Sequence, residues 1–172
     1  MRTLKHHEKK LLRKVDLLEW KGTSTVREQA VTRRYQLQDR ETYTKYNYIV
    51  GMIKRLSLAL AKLNDNEPMK QILVRELSSR LFSLGLINAK TLLECAGISV
   101  AAFCKRRLSS VLESTKIVPD IKTAVTFIGD GHIKVGTEIV TDPSLIVSRT
   151  MQDYITWREG SAVKRTIDEF TE

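Results

Sequence analysis

Ile121-Lys122-Thr123-Ala124-Val125-Thr126-Phe127-Ile128-Gly129-Asp130-Gly131-His132-Ile133-Lys134-Val135-Gly136-Thr137-Glu138-Ile139-Val140 changes its period midway. Apolar residues at 121, 124, 125 and 128 follow steps of three and four, a helical set. Gly129 and Gly131 end that helix. Ile133-Lys134-Val135 and Ile139-Val140 then alternate around Gly136-Thr137-Glu138, which predicts a hairpin. Asp142-Pro143 makes a further turn, and Leu145-Ile146-Val147 reads as a third short strand. A helix passing directly into a small antiparallel sheet, after a long helical stretch, defines the class α+β.

Working outward, the preceding residues read as helices. Ser99 can cap one that runs through Val100, Phe103 and Leu108 to about Leu112. A short helix is expected over Ala89–Cys95, closed by Gly97. Pro68 suits the first turn of another, which runs to about Leu84 with Gly85 as its cap. Residues 41–63 give the clearest helix, with Tyr46, Ile49, Val50, Ile53, Leu56, Leu60 and Leu63 on its apolar stripe. Residues 27–40 are polar and basic, and predict an irregular or short helical connection. Leu4 to Trp20 predicts a first helix, with Leu4, Leu11, Val15 and Leu18 on one face, broken by Gly22-Thr23-Ser24. The organisation expected is a basic helical region over 1–103, a compact module over 104–150 and an extension over 151–172 with an acidic end.

The 172 residues carry 29 Lys/Arg and 20 Asp/Glu, a net charge of +9 that is unevenly placed. Residues 1–62 hold +9, residues 63–103 zero, residues 104–128 +3 and residues 129–172 −3. A basic excess confined to one region is the footprint of a polyanion binder, or of a solvated helix face. A hydrophobic content of 42% excludes disorder of the whole chain. Cys95 and Cys104 are too few for a disulfide scaffold and wrongly spaced for a zinc knuckle, so a reducing, intracellular setting is expected. No apolar run approaches the length of a bilayer span, and the N-terminus does not read as a secretory signal.

No catalytic constellation emerges. His6 and His7 are adjacent and point about 100° apart on a helix, so they form no metal pair. The glycines at 129, 131 and 136 precede a strand and match no phosphate loop. Neither cysteine has the surroundings of a nucleophile. No catalytic residue, metal or cofactor is therefore expected. The basic run Lys105-Arg106-Arg107 is more informative: on one helix it covers a broad arc, leaving one member near the apolar seam and two free to reach phosphates. Lys122 and Thr123 open the next helix, where free N–H groups favour a phosphate oxygen unless Asp120 fills the cap.

Arg106-Arg107-Leu108-x-x-Val111, the helix–hairpin stretch quoted above and Asp142-Pro143-Ser144-x-x-Val147 together resemble the small RNA-binding module of the ribosomal protein S-four type. That resemblance implies two helices packed on a short bent sheet with a basic face toward structured RNA. The flanks narrow it. Leu4-Lys5-His6-His7-Glu8 and Lys14-Val15-Asp16-x-Leu18-Glu19-Trp20 resemble the nucleolar paralogue of that ribosomal protein. Tyr46-Asn47, Lys54-Arg55-Leu56 and Arg149-x-Met151-x-Asp153-Tyr154-Ile155-Thr156-Trp157 resemble it as well.

The resemblance implies a non-enzymatic component of the U-three small nucleolar ribonucleoprotein and small-subunit processome, in the nucleolus. Its implied partners are U-three snoRNA, pre-rRNA, the scaffold protein Mpp-ten and the Brix-domain protein Imp-four. By position, Arg106 and Arg107 with Lys105 are the implied main phosphate contacts, and Lys122 and Thr123 secondary ones. His132 reads as an RNA contact or a structural turn residue, and Lys134 as outward-facing. Lys9, Lys10, Arg13 and Lys14 offer a second RNA surface or a solvated face. Met151, Tyr154 and Trp157 are expected to pack on the module or on a protein. The rival readings are the ribosomal protein itself and a fragment of an RNA-modifying enzyme.

Overall fold

The computed structural model describes residues 2–14 and 26–171. Among these, ten helices and three strands follow in order. They are α1 (His6–Lys14), α2 (Val26–Tyr35), α3 (Arg40–Lys62), α4 (Pro68–Ser83), α5 (Leu92–Gly97), α6 (Val100–Lys105), α7 (Leu108–Ser114) and α8 (Ile121–Gly129). Then come β1 (Ile133–Val135), β2 (Glu138–Ile139), α9 (Arg149–Gln152), β3 (Ile155–Trp157) and α10 (Ala162–Thr171). The α+β class holds. No described helix is long and apolar enough to cross a membrane.

The helices gather around a first core. Long α3 presents Tyr46 and Val50 to it, and the Tyr46 ring stacks on Phe103 at 5.6 Å. Leu81 of α4, Cys95 of α5, Cys104 of α6 and Ile121 of α8 complete it. Burial pushes the Cys104 thiol up to about 11, which fits an inert core thiol. Of residues 27–40, expected as an irregular or short helical connection, those up to Tyr35 lie in the ten-residue helix α2, whose end inserts Tyr35 into this core, and 36–39 are a non-helical link to α3. The expected single stripe of α3 splits in two: Tyr46, Val50 and Leu60 are buried, while Ile49, Leu56 and Leu63 stay exposed. Lys70 secures the end of α3 by donating to the Leu63 carbonyl at 2.8 Å and to Asp65 at 2.6 Å. The first predicted helix is seen as α1, with Leu4 and Leu11 exposed. Val15, Leu18, Trp20 and the Gly22-Thr23-Ser24 break lie outside the described residues.

A second core joins α7 and α8 to the sheet through Leu108, Val111, Leu112, Ala124, Ile128 and Ile133. The strand order is β2-β1-β3, all antiparallel. The expected hairpin forms, with Gly136 at φ +63° in the turn between Val135 and Glu138. The expected third strand does not. Residues 145–147 instead line the connector between α6 and α7, through one Arg107–Ile146 bridge. Leu108 N–H donates to the Leu145 carbonyl and Val147 N–H to the Arg106 carbonyl, both at 2.8 Å. The sheet takes Ile155-Thr156-Trp157 as its third member, pairing Ile133 with Trp157 and Val135 with Ile155. Met151 and Trp157 pack on this second core, while Tyr154 stays exposed.

The same connector corrects the helix expected over 99–112. It breaks at Arg106 and Arg107, because Arg107 takes an extended backbone (φ −66°, ψ 146°) to bridge Ile146. The two cores therefore meet at the basic run. The short helix expected over Ala89–Cys95 starts later, at Leu92, because the Thr91 hydroxyl caps it by accepting from Glu94 N–H.

Candidate nucleic-acid interface

The break at 106–107 sends three adjacent cations in three directions. Arg107 points inward and is 1% exposed. Its Nη2 donates to Ser144 Oγ at 3.1 Å, while Nε and Nη1 have no hydrogen-bond partner among the described residues. The expectation of Arg107 as a main phosphate contact is thus corrected: its guanidinium has no face open to a ligand. Burial raises the neighbouring Tyr46 hydroxyl above its ordinary range, with Arg107 pulling it the other way.

Arg106 is half-buried and largely committed. Its Nε and Nη2 donate to the Val147 carbonyl at 2.9 and 2.7 Å, and Nη1 donates to Gln152 Oε1 at 3.0 Å. Burial, and then the charge of Arg149, lower its pKa. This fork lies flat on Gly85, which ends α4 at φ +74°. Leu86 N–H donates to the Leu81 carbonyl at 3.0 Å and Gly85 N–H to the Phe82 carbonyl at 2.9 Å, a Schellman pair. A Cβ at 85 would stand 2.9 Å from the Arg106 guanidinium carbon. Gly85→Ala is expected to cost about 1–3 kcal/mol from backbone strain alone, read as a lower urea midpoint. Arg106 is therefore a strut that ties the α6–α7 connector to residues 147–152.

Lys105 remains outward. It lines a cleft of about 480 Å³ with Arg34, Arg106, Ser110 and Glu113. An adjoining recess shares Arg34 and Glu113 and adds Gln36, Asp120 and Lys122. The structure thus brings Lys105 and Lys122 to one concave region and adds Arg34, which sequence reading missed. The miss has a reason: Arg34 belongs to a polar stretch with no clean period, and only the inward turn of Tyr35 shows which way α2 faces. Among the described residues, Arg34, Lys105 and Lys122 form no ion pair. Thr123 is half-buried beside Lys122. Asp120 stands at the cap of α8 but makes no side-chain hydrogen bond to it.

The other expected contacts lie elsewhere. Lys134 is ion-paired with Glu159 at 2.7 Å, so a phosphate there competes with a carboxylate that Lys134 holds below its usual range. The His132 ring faces Ser161 Oγ at 3.0 Å and meets Phe127 edge-on at 6.0 Å. Its backbone donates to Phe127 and accepts from Arg158, which is the pattern of a turn residue. Lys9, Lys10 and Arg13 are exposed on α1, and the Lys14 side chain lies outside the described residues. Among the described residues no group of three or more His, Cys, Asp or Glu could hold a metal ion.

A half-buried arginine strut, Arg106, and a cleft lined by basic residues stand beside the helix–sheet module, and the relatives of this chain are ribosomal S4-type RNA binders. Residues 3–105 match the family described as ribosomal protein S4/S9 N-terminal domain. The chain is 40% identical over 97% of its length to the U3 small nucleolar ribonucleoprotein protein IMP3 of Saccharomyces cerevisiae, covering 92% of that protein. It is 38% identical over its full length to the IMP3 of Homo sapiens, covering 95% of it. The small ribosomal subunit protein uS4 of Picrophilus torridus is 30% identical over 83% of this chain and 79% of its own. The chain belongs to the IMP3 family of U3 small nucleolar ribonucleoprotein proteins, a branch of the S4-type RNA binders.

Proposed function

We propose that this protein is an RNA-binding component of the U-three snoRNP and small-subunit processome. In this reading it works in the nucleolus and promotes or stabilises pairing of U-three snoRNA with pre-rRNA during small-subunit maturation. What supports this reading is that Arg34, Lys105 and Lys122, which form no ion pair among the described residues, line two adjoining recesses in a chain of the IMP3 family. Bringing two RNA strands together opposes their phosphate charges. Lysine and arginine side chains screen that repulsion and release condensed counterions. Sequence selection can then rest on base pairing, while the protein reads shape, phosphates and 2′-hydroxyls. The chemistry breaks no bond, so the reading needs no catalytic group.

Exposed Lys9, Lys10 and Arg13 supply a second basic surface for the other strand. Mpp-ten and Imp-four are the protein partners of this reading. The ribosomal-protein alternative is weakened by the lower identity and shorter coverage of the uS4 relative. Crosslinking in cells followed by sequencing of the bound RNA tests the proposal. Reads from U-three snoRNA and pre-rRNA are expected, with crosslinked peptides from residues 33–36 and 105–123. Recovery chiefly with mature small-subunit rRNA would replace this reading with the ribosomal one.

A further inference from the structure

Among the described residues nothing covers a second apolar arc of α3 and its C-cap. Ile49, Met52, Leu56, Ala59 and Leu63 step by three, four, three and four, and all five are exposed. The four large ones are 41–49% exposed, and Tyr48 beside them is 63% exposed. A 3–4–3–4 spacing is the a/d seam of a coiled coil, the pattern that keeps one helix in register with another. Five rungs extend about 21 Å at the helical rise, the length of a helix of four turns. Monomers rarely leave so large an apolar row in water without a use for it.

The edges of the seam narrow its occupant. On one side lie Ile53, partly buried against the first core, and Leu60, which is buried. On the other lie Tyr48, Arg55 and Lys62, at seven-residue intervals. Among the described residues, Arg55 Nε donates to its own helix, at the Gly51 carbonyl. Neither Arg55 nor Lys62 forms an ion pair among the described residues. The free flank is therefore basic, and flank charges set partner choice in coiled coils. A second copy of α3 would bring the same basic edge and repel it. An RNA backbone would find methionine and leucine where it needs donors.

We propose that this seam docks an amphipathic helix of a second protein, apolar at its a and d positions and acidic along the edge that meets Arg55 and Lys62. The cleft described above draws no residue from α3, so this inference and the RNA reading fail independently.

The full-length chain is screened against a displayed library of 21-residue heptad peptides. These have Leu or Ile at a and d, and Glu, Lys or Gln at e and g. Enrichment of Glu is expected, and the all-Glu peptide should bind at least tenfold tighter than its Lys twin. Leu56→Glu, a change at an exposed site, should lose at least tenfold in peptide affinity with unchanged circular dichroism and RNA affinity. The double change Arg55→Glu and Lys62→Glu should reverse the preference toward the Lys peptide. No enrichment, an unreversed preference, or full peptide affinity in Leu56→Glu would overturn the proposal. So would a wild-type dimer that Leu56→Glu dissolves, which assigns the seam to a second copy. Loss of RNA affinity in Leu56→Glu would assign it to RNA.

Discussion

Changing Arg34, Lys105 and Lys122 together to Ala is expected to flatten the salt dependence of RNA binding by about 2–3 in log–log slope. Each phosphate contact contributes about 0.7 to single-stranded and 0.9 to duplex RNA of the B-DNA-like charge density. Three lost contacts shrink the fall in affinity between 50 and 200 mM salt by roughly 20–40-fold. The measurement is a binding titration at four or five salt concentrations. The matched control removes three charges elsewhere, at Lys54, Arg75 and Arg80. If both triples flatten the slope equally, the cleft has no special place in the interface and only net charge matters. If the cleft triple alone does so, Arg34 joins α2 to the RNA surface.

The second large effect is on stability rather than binding. Arg107→Ala should cost about 2–4 kcal/mol, because it empties the volume of a fully buried long side chain. Arg107→Met should stay within about 1 kcal/mol of the unaltered protein. It keeps most of that volume and removes two donor nitrogens, Nε and Nη1, that are buried with no hydrogen-bond partner among the described residues. Replacing a buried charge by a packed apolar group is often neutral or stabilising. Urea denaturation of both variants distinguishes the outcomes. A stable Arg107→Ala that binds RNA poorly would mean that Arg107 leaves the core to reach the ligand.

Much of the fold was legible because its signals are local. The hairpin announces itself by alternation around Gly136, and Gly85 and Pro68 mark helix ends by backbone rules alone. The third strand was misread because a run such as Leu145-Ile146-Val147 shows a wish to be extended but not its partner. That partner is a helix break 40 residues earlier, invisible to any window of local pattern. The basic run failed for the same reason. On a continuous helix Arg106 and Arg107 would face outward in part; once the backbone extends at Arg107, both are drawn into structural roles, and Lys105 alone keeps its freedom. The apolar stripe of α3 was read as one face because a stripe for the core and a seam for a partner share the same period. Burial separates them, and periodicity does not.

The arginine strut has a consequence for the order in which the chain can become useful. Arg106 bonds to Val147, 41 residues downstream, and to Gln152, 46 residues downstream. β1 waits a shorter interval for β3, 22 residues from Lys134 to Thr156. At ordinary synthesis rates of about 5–20 residues per second, the partners of Arg106 leave the ribosome roughly 2–8 s after the basic run does. During that interval Arg106 and Arg107 are still free cations on an unfinished chain, able to hold any polyanion nearby. Completion of residues 144–157 withdraws both into the protein and leaves a narrower set of charges outside. Maturation of this region is thus a narrowing: of the three adjacent cations, only Lys105 keeps an exposed side chain in the folded chain.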